Sequence, residues 1–598
     1  MGDVARTFRA LVDGADRKFA LVRDIPPHAC GRAEQGHSFR KVFKAYTRLW
    51  RFQQENRAEL VESGLKRWEI GEIASRIGQL YYDQYLRTSE ARFLLEAYVF
   101  YEAILNRRYF EGGGGGSLGL RFKELRFFAR FIVVSLVLNQ TEKVRVLVER
   151  FKALVEDSKN AFPETNFKEW KQLVQEILRF LKADTTFKNA RPLRYSKLLD
   201  SHPSSNPYIA RYHSKKSLKL QDALLTSYHR NEVKFAELTL DTFRMLRCLE
   251  WEPSGSFYQM NATEPKENGT VSDLSGTSGL IDINLAADMT DPNLPPNPRK
   301  AILHRPSVSH LIAVVATICE ELPPDRILLI YVSASGKPDQ NFAHEKEFSG
   351  ALGKSSKMKN VSFNCLQPPV LDDDCSESCL SLGPRGSRGS NTLYPGDLIP
   401  FTRKPLFLII DSESSHAFKV IHGAEREEMA ALLLSPGRQL LYSPSTADTR
   451  QHGSLFTFFL TAPLQAFSQL VGLPSDTETD TCKKADDTLA SAISEWEVIL
   501  CTSRNLDQVW AQVLTDPFLR RLILRFIFCR SVLYFFCPPE KGDEHLPECL
   551  PELPDSVSPT STSVQSNVFR LADCLGVVSH FNFRNTVGSP TSSMSLER

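Results

Sequence analysis

Long hydrophobic runs are missing from this chain. Phe131 to Leu138 (FIVVSLVL) is strongly apolar but far short of the ~20 residues a membrane-spanning helix needs, so it reads as a core helix and no membrane span is expected. Paired cysteines are missing as well. Twelve cysteines are scattered with no Cys-x-x-Cys, and several, such as Cys319 and Cys529, sit inside apolar runs where a free thiol packs as a small hydrophobe. With no signal-peptide pattern, a reducing compartment is expected. An excess of one charge is absent. Lys and Arg number 73 against 71 Asp and Glu, so any argument for an anionic partner must be local.

Catalytic signatures are absent too. No Gly-x-x-x-x-Gly-Lys-Ser/Thr excludes a P-loop, and no Gly-x-Ser-x-Gly excludes a nucleophile elbow. Gly112 to Gly116 is a glycine run with no strand before it, so it is a flexible connector rather than a dinucleotide fingerprint. His28, Cys30 and His37 could supply three zinc ligands, but no paired fourth is near. Asp372, Asp373, Asp374, Cys375 and Cys379 fall in a polar stretch and read as a solvated acidic loop. No cofactor is expected, and the chain reads as a non-enzyme.

What is present is helical pattern, densest between Leu65 and Leu105. Ile70, Ile73, Ala74, Ile77, Leu80 and Tyr81 recur at three- and four-residue spacing, which places them on one helix face. Thr88-Ser89-Glu90 breaks the pattern and can cap a second helix that buries Phe93, Leu94, Ala97, Val99, Tyr101 and Ile104. So short a loop makes the two antiparallel, and Gly78 and Ala97 let them approach closely. Ile77-Gly78-x-x-Tyr81 partly matches a tetratricopeptide repeat, but no second copy recurs at a fixed period.

At 598 residues two to four domains are expected, with 42% hydrophobic and 24% charged residues as in globular proteins. Residues 1–37 form an N-terminal arm with an amphipathic helix to about 24. Residues 38–250 form a mostly α-helical domain with tetratricopeptide-like hairpins, including helices near 120–138, 141–157 and 167–183 and a helical pattern from Leu218 to Leu249. Residues 251–300 are a polar linker or disordered insertion.

From 301 to 536 helices alternate with short apolar runs, which implies an open α/β domain with a partly parallel sheet and C-terminal helices. Ile327–Val332 and Leu406–Ile410 are buried strands, and Ala431–Leu434 or Gln439–Tyr442 a third. Residues 337–394 are a polar insertion. Helices follow over 308–322, over 455–470 with a kink at Pro463, and over 484–503 and 506–536. Residues 537–598 are an excursion, a short helix near 568–575 and a polar tail. The whole is α/β multidomain.

Three sets of residues are candidate sites. Arg40, Lys44, Arg48 and Arg51 line one face of a helix whose other face carries Phe39, Val42, Phe43, Tyr46, Leu49 and Trp50; this basic stripe suits an acidic partner or a phosphate backbone. Tyr81, Tyr82, Tyr85, Tyr98 and Tyr101 crowd the hairpin at mixed phases, and aromatics exposed there would serve as binding anchors. Asp411, Glu413 and Ser415 close a strand, where open α/β sheets bind ligands, and resemble the metal-ion-dependent adhesion motif Asp-x-Ser-x-Ser with Glu413 in the middle serine's place.

Nine collinear segments carry a wider resemblance: LWRFQQENR (49–57), LKRWEIGEIASRIGQLYY (65–82), LRTSEARFL (86–94), LRFFARFIVV (125–134), VKFAELTLDTFRML (233–246), ILLIYVSASG (327–336), LYPGDLIPFTRKPLFLIIDS (393–412), GSLFTFFLTAPL (453–464) and FLRRLILRFIFC (518–529). They resemble the suppressor of cancer cell invasion family, in a plant-like member. The resemblance implies a non-enzymatic transcription cofactor, corepressor-like, in the nucleus with a cytoplasmic pool. Animal members of that family act on transcription driven by the myocardin-related coactivator and serum response factor, downstream of Rho–actin signalling, and are implicated in chromatin and DNA-break repair. It implies protein partners, transcription regulators or chromatin factors, and no catalytic residues. Two other functions compete with it: a metal- or ligand-binding α/β protein working at Asp411, and a direct nucleic-acid binder using 40–51. Direct nucleic-acid binding is not expected. The helical domain is expected to be the main partner-binding surface, and Ser558 and Ser589 are Ser-Pro positions open to modification.

Overall fold

The computed structural model describes residues 2–23, 32–111, 117–138, 140–183, 217–229, 232–235, 237–249, 283, 297–336, 379–383, 391–437, 453–473, 479–537 and 543–583. His28, Cys30, Gly112 to Gly116, residues 372–375, 439–442 and Ser589 lie outside them.

Eight helices lead: α1 (Gly2–Arg23), α2 (Arg32–Glu55), α3 (Arg57–Glu62), α4 (Arg67–Thr88), α5 (Ala91–Asn106), α6 (Leu118–Val137), α7 (Thr141–Ala161) and α8 (Lys168–Ala183). The amphipathic pattern of α1 docks it rather than leaving it as a free arm. Phe8, Ala15, Phe19 and Val22 are buried, the Phe19 ring meets Tyr46 of α2 edge-on at 6.2 Å, and the Tyr46 hydroxyl donates to Asp16 at 3.1 Å. Arg76 of α4 pairs with the same Asp16.

The α4–α5 hairpin forms where the periodicity places it. The backbone N–H of Lys66 donates to the Glu69 carboxylate at 2.7 Å and starts α4. Ser89 ends it in the left-handed region at φ 61°. Ile70, Ile73, Ala74, Ile77, Leu80, Phe93, Leu94, Ala97 and Ile104 are buried as expected. Val99 is half-buried, and its neighbour Phe100 takes the core position.

Beyond α8 the periodicity misleads. Lys219–Tyr228 is a strand, β1, where a helical pattern is expected from 218 to 249; only α9 (Leu240–Cys248) is helical there. Leu220, Ala223, Leu224 and Leu225 fit either period, and a short apolar run is assigned only by its neighbours. Those neighbours are β2 (Arg299–His304), unseen in the sequence, and β3 (Arg326–Ala334). With β4 (Leu406–Asp411), β5 (Ala430–Leu434) and β6 (Glu548–Leu550) they make a six-stranded sheet of order β6-β5-β4-β3-β1-β2. The first five strands are parallel, with Thr226 opposite both Leu303 and Val332, Val332 opposite Ile410, and Ile410 opposite Leu434. β6 pairs antiparallel to β5, so the Pro/Ser/Glu-rich excursion supplies an edge strand. β1 therefore sits between strands that lie more than 60 residues downstream, across the expected linker.

Two layers cover the sheet. On one face Leu224, Leu328, Ile330, Val332, Leu408, Ile410 and Leu432 pack against Leu311, Val315 and Ile318 of α10 (Val308–Glu321). On the other, Leu225, Leu329, Tyr331, Phe407, Ile409 and Leu433 join one continuous core that reaches from Phe8 to Phe581. That core includes α11 (Leu455–Thr461) and α12 (Pro463–Leu470), separated at Pro463 as expected, then α13 (Thr479–Thr502), α14 (Gln508–Val513), α15 (Pro517–Phe536) and α16 (Thr562–Cys574). α15 carries apolar residues on nearly every face because it is buried along most of its length. Its buried arginines find partners inside the fold: Arg525 donates to the Leu460 and Thr461 carbonyls at 3.1 Å, and Arg520 pairs with Glu497 at 2.9 Å. Asp516 caps α15 through Phe518 and Leu519 and also accepts from the Leu220 N–H at 2.8 Å, which ties β1 to the C-terminal helices.

Candidate functional site

The hairpin tyrosines divide by helix phase. Tyr81, Tyr85 and Tyr101 are buried, so they are core residues. Tyr81 stacks on Phe100 at 5.9 Å and Tyr101 lies 5.8 Å from Phe131. Tyr82 and Tyr98 are half-buried, and the Tyr98 hydroxyl donates to Glu102 at 3.1 Å. Beneath them Asp83 is pushed up to about 7 by burial, against the opposing pull of Arg130 and Arg87.

The basic stripe is presented as its spacing requires. Arg40, Lys44, Arg48 and Arg51 are all exposed on α2, and none of them forms an ion pair with a described residue. The opposite face holds Phe39, Val42, Phe43, Tyr46, Leu49 and Trp50 in the core. Lys41 is exposed as well, and between Phe39 and Gln54 the helix has no acidic residue. His37 is exposed nearby.

At the carboxyl edge of the sheet the strand order 2-1-3-4-5 places a topological switch between β1 and β3. Side chains from five elements meet there. His229, just past β1, has its Nε2 2.8 Å from the Ser333 hydroxyl and its Nδ1 3.4 Å from that of Ser335. Thr457 of α11 donates to Asp411 at 2.6 Å and shares a 2.8 Å hydrogen bond with the Tyr331 hydroxyl. Asp241 of α9 accepts twice from the Ser454 N–H, at 3.0 and 3.1 Å, and lies 3.6 Å from Arg244. Burial raises the Asp411 carboxyl above its ordinary range. It pushes Asp241 up to about 6, with Arg244 opposing and the Asp411 charge reinforcing the shift.

The three residues of the adhesion-like motif do not converge. Glu413 accepts the Gly336 N–H at 3.0 Å, and Ser415 donates to the Ser435 carbonyl at 2.6 Å, while Asp411 turns to Thr457. Their hydrogen bonds run to different partners, and among the described residues no group of three His, Cys, Asp or Glu is placed to hold a metal ion. Ser333 is wholly buried and His229 half-buried, so their contact ties the end of β1 to β3. His229, Asp241, Ser333 and Thr457 were not legible as a set. The run ALLTSY closed by a histidine is the one signal, and it has the same form as ILLIYV.

Among the described residues no helix is long and apolar enough to cross a membrane. A family model described as Protein SCAI matches residues 10–539. The chain is 34% identical to human "Protein SCAI" over 591 residues, covering 97% of this chain and 89% of that protein. The mouse protein of the same name matches at the same identity and coverage. "Protein SCAI homolog" of Dictyostelium discoideum is 28% identical over 668 residues, 89% of this chain and 85% of that protein. No solved structure matches the chain.

Proposed function

The chain belongs to the SCAI family, and on that premise we propose that it is a nuclear, corepressor-like transcription cofactor that acts by binding other proteins. The observation that carries this reading is the similarity over 97% of the chain to human Protein SCAI. The site geometry supports it. The buried polar node at the sheet edge has its hydrogen bonds answered from within, whereas the basic face of α2 is solvated. Binding therefore falls to the helical surface, and the sheet fixes that surface in place. Transcription regulators and chromatin factors are the proposed partners, with a further cytoplasmic pool and a connection to Rho–actin-dependent transcription or to DNA-break repair.

The test is to fuse the full chain to a heterologous DNA-binding module beside a reporter gene and to follow its localisation. Lowered reporter output with nuclear accumulation supports the reading. An unchanged reporter, together with a chain that stays out of the nucleus, overturns it.

A further inference from the structure

We propose that the outward face of α2 docks an acidic peptide segment that also carries apolar anchors, supplied by a partner protein. This rests on the cofactor reading above and names the chemistry of its partner. The first observation is charge. Arg40, Lys41, Lys44, Arg48 and Arg51 are exposed, no acidic residue interrupts them from Phe39 to Gln54, and the four stripe residues make no ion pair with a described residue. At ~1.5 Å rise per residue the stripe from Arg40 to Arg51 runs for about 16 Å, three turns of a partner helix. Of the neighbours, α1 extends the field, exposing Arg6, Arg9, Arg17 and Lys18 against Asp3 and Asp13, while α3 exposes Arg57 against Glu59 and Glu62.

The second observation separates a peptide from a nucleic acid. Single-strand binders offer exposed aromatic rings on which bases stack. On α1, α2 and α3 no described aromatic is exposed: Phe8, Phe19, Phe39, Phe43, Tyr46 and Trp50 are buried and Phe52 is half-buried. What the flanking helices expose instead is aliphatic. Leu21 of α1 is 72% exposed and Val61 of α3 is 53% exposed, both among the most exposed large apolar residues described. Both helices pack against α2. A cationic helix face flanked by open aliphatic side chains complements a segment in which acidic and apolar residues alternate, the composition of amphipathic acidic activation segments.

The experiment uses the full chain and fluorescence anisotropy at physiological ionic strength. One probe is a labelled synthetic peptide, about 20 residues long, with glutamates spaced to match the stripe and leucines on the adjoining face. A second is the same peptide with every leucine changed to serine, and a third is an oligothymidine of about the same length. The leucine peptide is expected to bind at least about tenfold more tightly than the serine peptide and the oligothymidine. Reversing Arg40→Glu, Lys44→Glu, Arg48→Glu and Arg51→Glu together is expected to weaken it by at least about tenfold. Reversing Arg145→Glu and Lys152→Glu, exposed on α7, is expected to leave it unchanged. If the fourfold variant melts early, Arg48→Glu alone serves, with a smaller loss. Equal binding of the leucine and serine peptides, tighter binding of the oligothymidine, or no binding of any probe overturns the proposal. Reporter repression that survives the fourfold reversal also overturns this surface while leaving the cofactor reading intact. Absent repression by the wild-type chain that still binds the peptide overturns the cofactor reading alone.

Discussion

Gly78 of α4 faces the ring of Tyr101 of α5 so closely that a Cβ on the glycine would stand 3.0 Å from the ring. That approach brings Tyr81, Phe93 and Phe100 into one aromatic cluster behind the α2 face. Gly78→Ala gains ~1 kcal/mol of helix propensity but meets an overpacking cost of ~1–3 kcal/mol against a buried ring. The net expectation is a modest destabilisation, read as a lower urea midpoint with an unchanged slope. Tyr101→Leu in the same chain should relieve part of it.

Gly453 is held more tightly. Its φ of +73° is one that side-chain-bearing residues rarely adopt, and a Cβ there would lie 2.4 Å from Asp241 Oδ1. Gly453→Ala must displace the carboxylate that accepts the Ser454 N–H. Destabilisation of more than ~2 kcal/mol is expected from strain and a broken buried hydrogen bond together. Equilibrium denaturation measures it, and a stability equal to wild type would show that the loop rearranges freely.

Thr457 donates to Asp411 and accepts from the Tyr331 hydroxyl. Thr457→Val takes from the buried Asp411 one of its hydroxyl donors and should cost ~1–3 kcal/mol. Thr457→Ser keeps the hydroxyl and should lie near wild type. Because the oxygens of Asp411, Glu413 and Ser415 face different partners, Mg²⁺ should not raise the melting temperature of the full chain. A rise that Asp411→Ala abolishes would restore the metal-binding alternative.

Asp83 titrates in the folded chain at about 7, and an unfolded aspartate near its ordinary 3.8. Between those values the folded state holds the extra proton, so this group opposes folding above about pH 7 and ceases to as pH falls through that range. Asp83→Asn should therefore gain stability relative to wild type at about pH 8 and lose the larger part of that advantage by about pH 5, the remainder fading only below about pH 3.8. Paired urea titrations at the two pH values give the sign directly.

Cutting the chain within 253–299 separates β1 from β2 and β3, the strands on either side of it. Each half then exposes the buried edges and apolar faces of a parallel sheet, which has little stability when left open. Residues 1–252 and 300–598 are expected to be poorly folded apart and to co-purify as one folded species when expressed together. Size-exclusion chromatography with circular dichroism reports both outcomes. A monomeric, cooperatively melting 1–252 fragment would contradict the continuous core.

The local patterns in the sequence determined the helices of the first third, the face each one buries, the strand cores Ile327–Val332 and Leu406–Ile410, and the exposed stripe on α2. Those are properties of spacing along one element, and solvent alone sorts them. The tertiary structure decided everything that depends on which distant segment lies alongside. Lys219–Tyr228 became a strand because two parallel neighbours from beyond residue 298 satisfy its backbone, a partnership that no local period encodes. Tyr81 and Tyr101 became core because α2, α5 and α6 close over them, and Tyr85 lies under Lys300 of β2. The polar node joining His229, Asp241, Ser333, Asp411 and Thr457 spans more than 220 residues of chain, and only folding brings its donors to its acceptors.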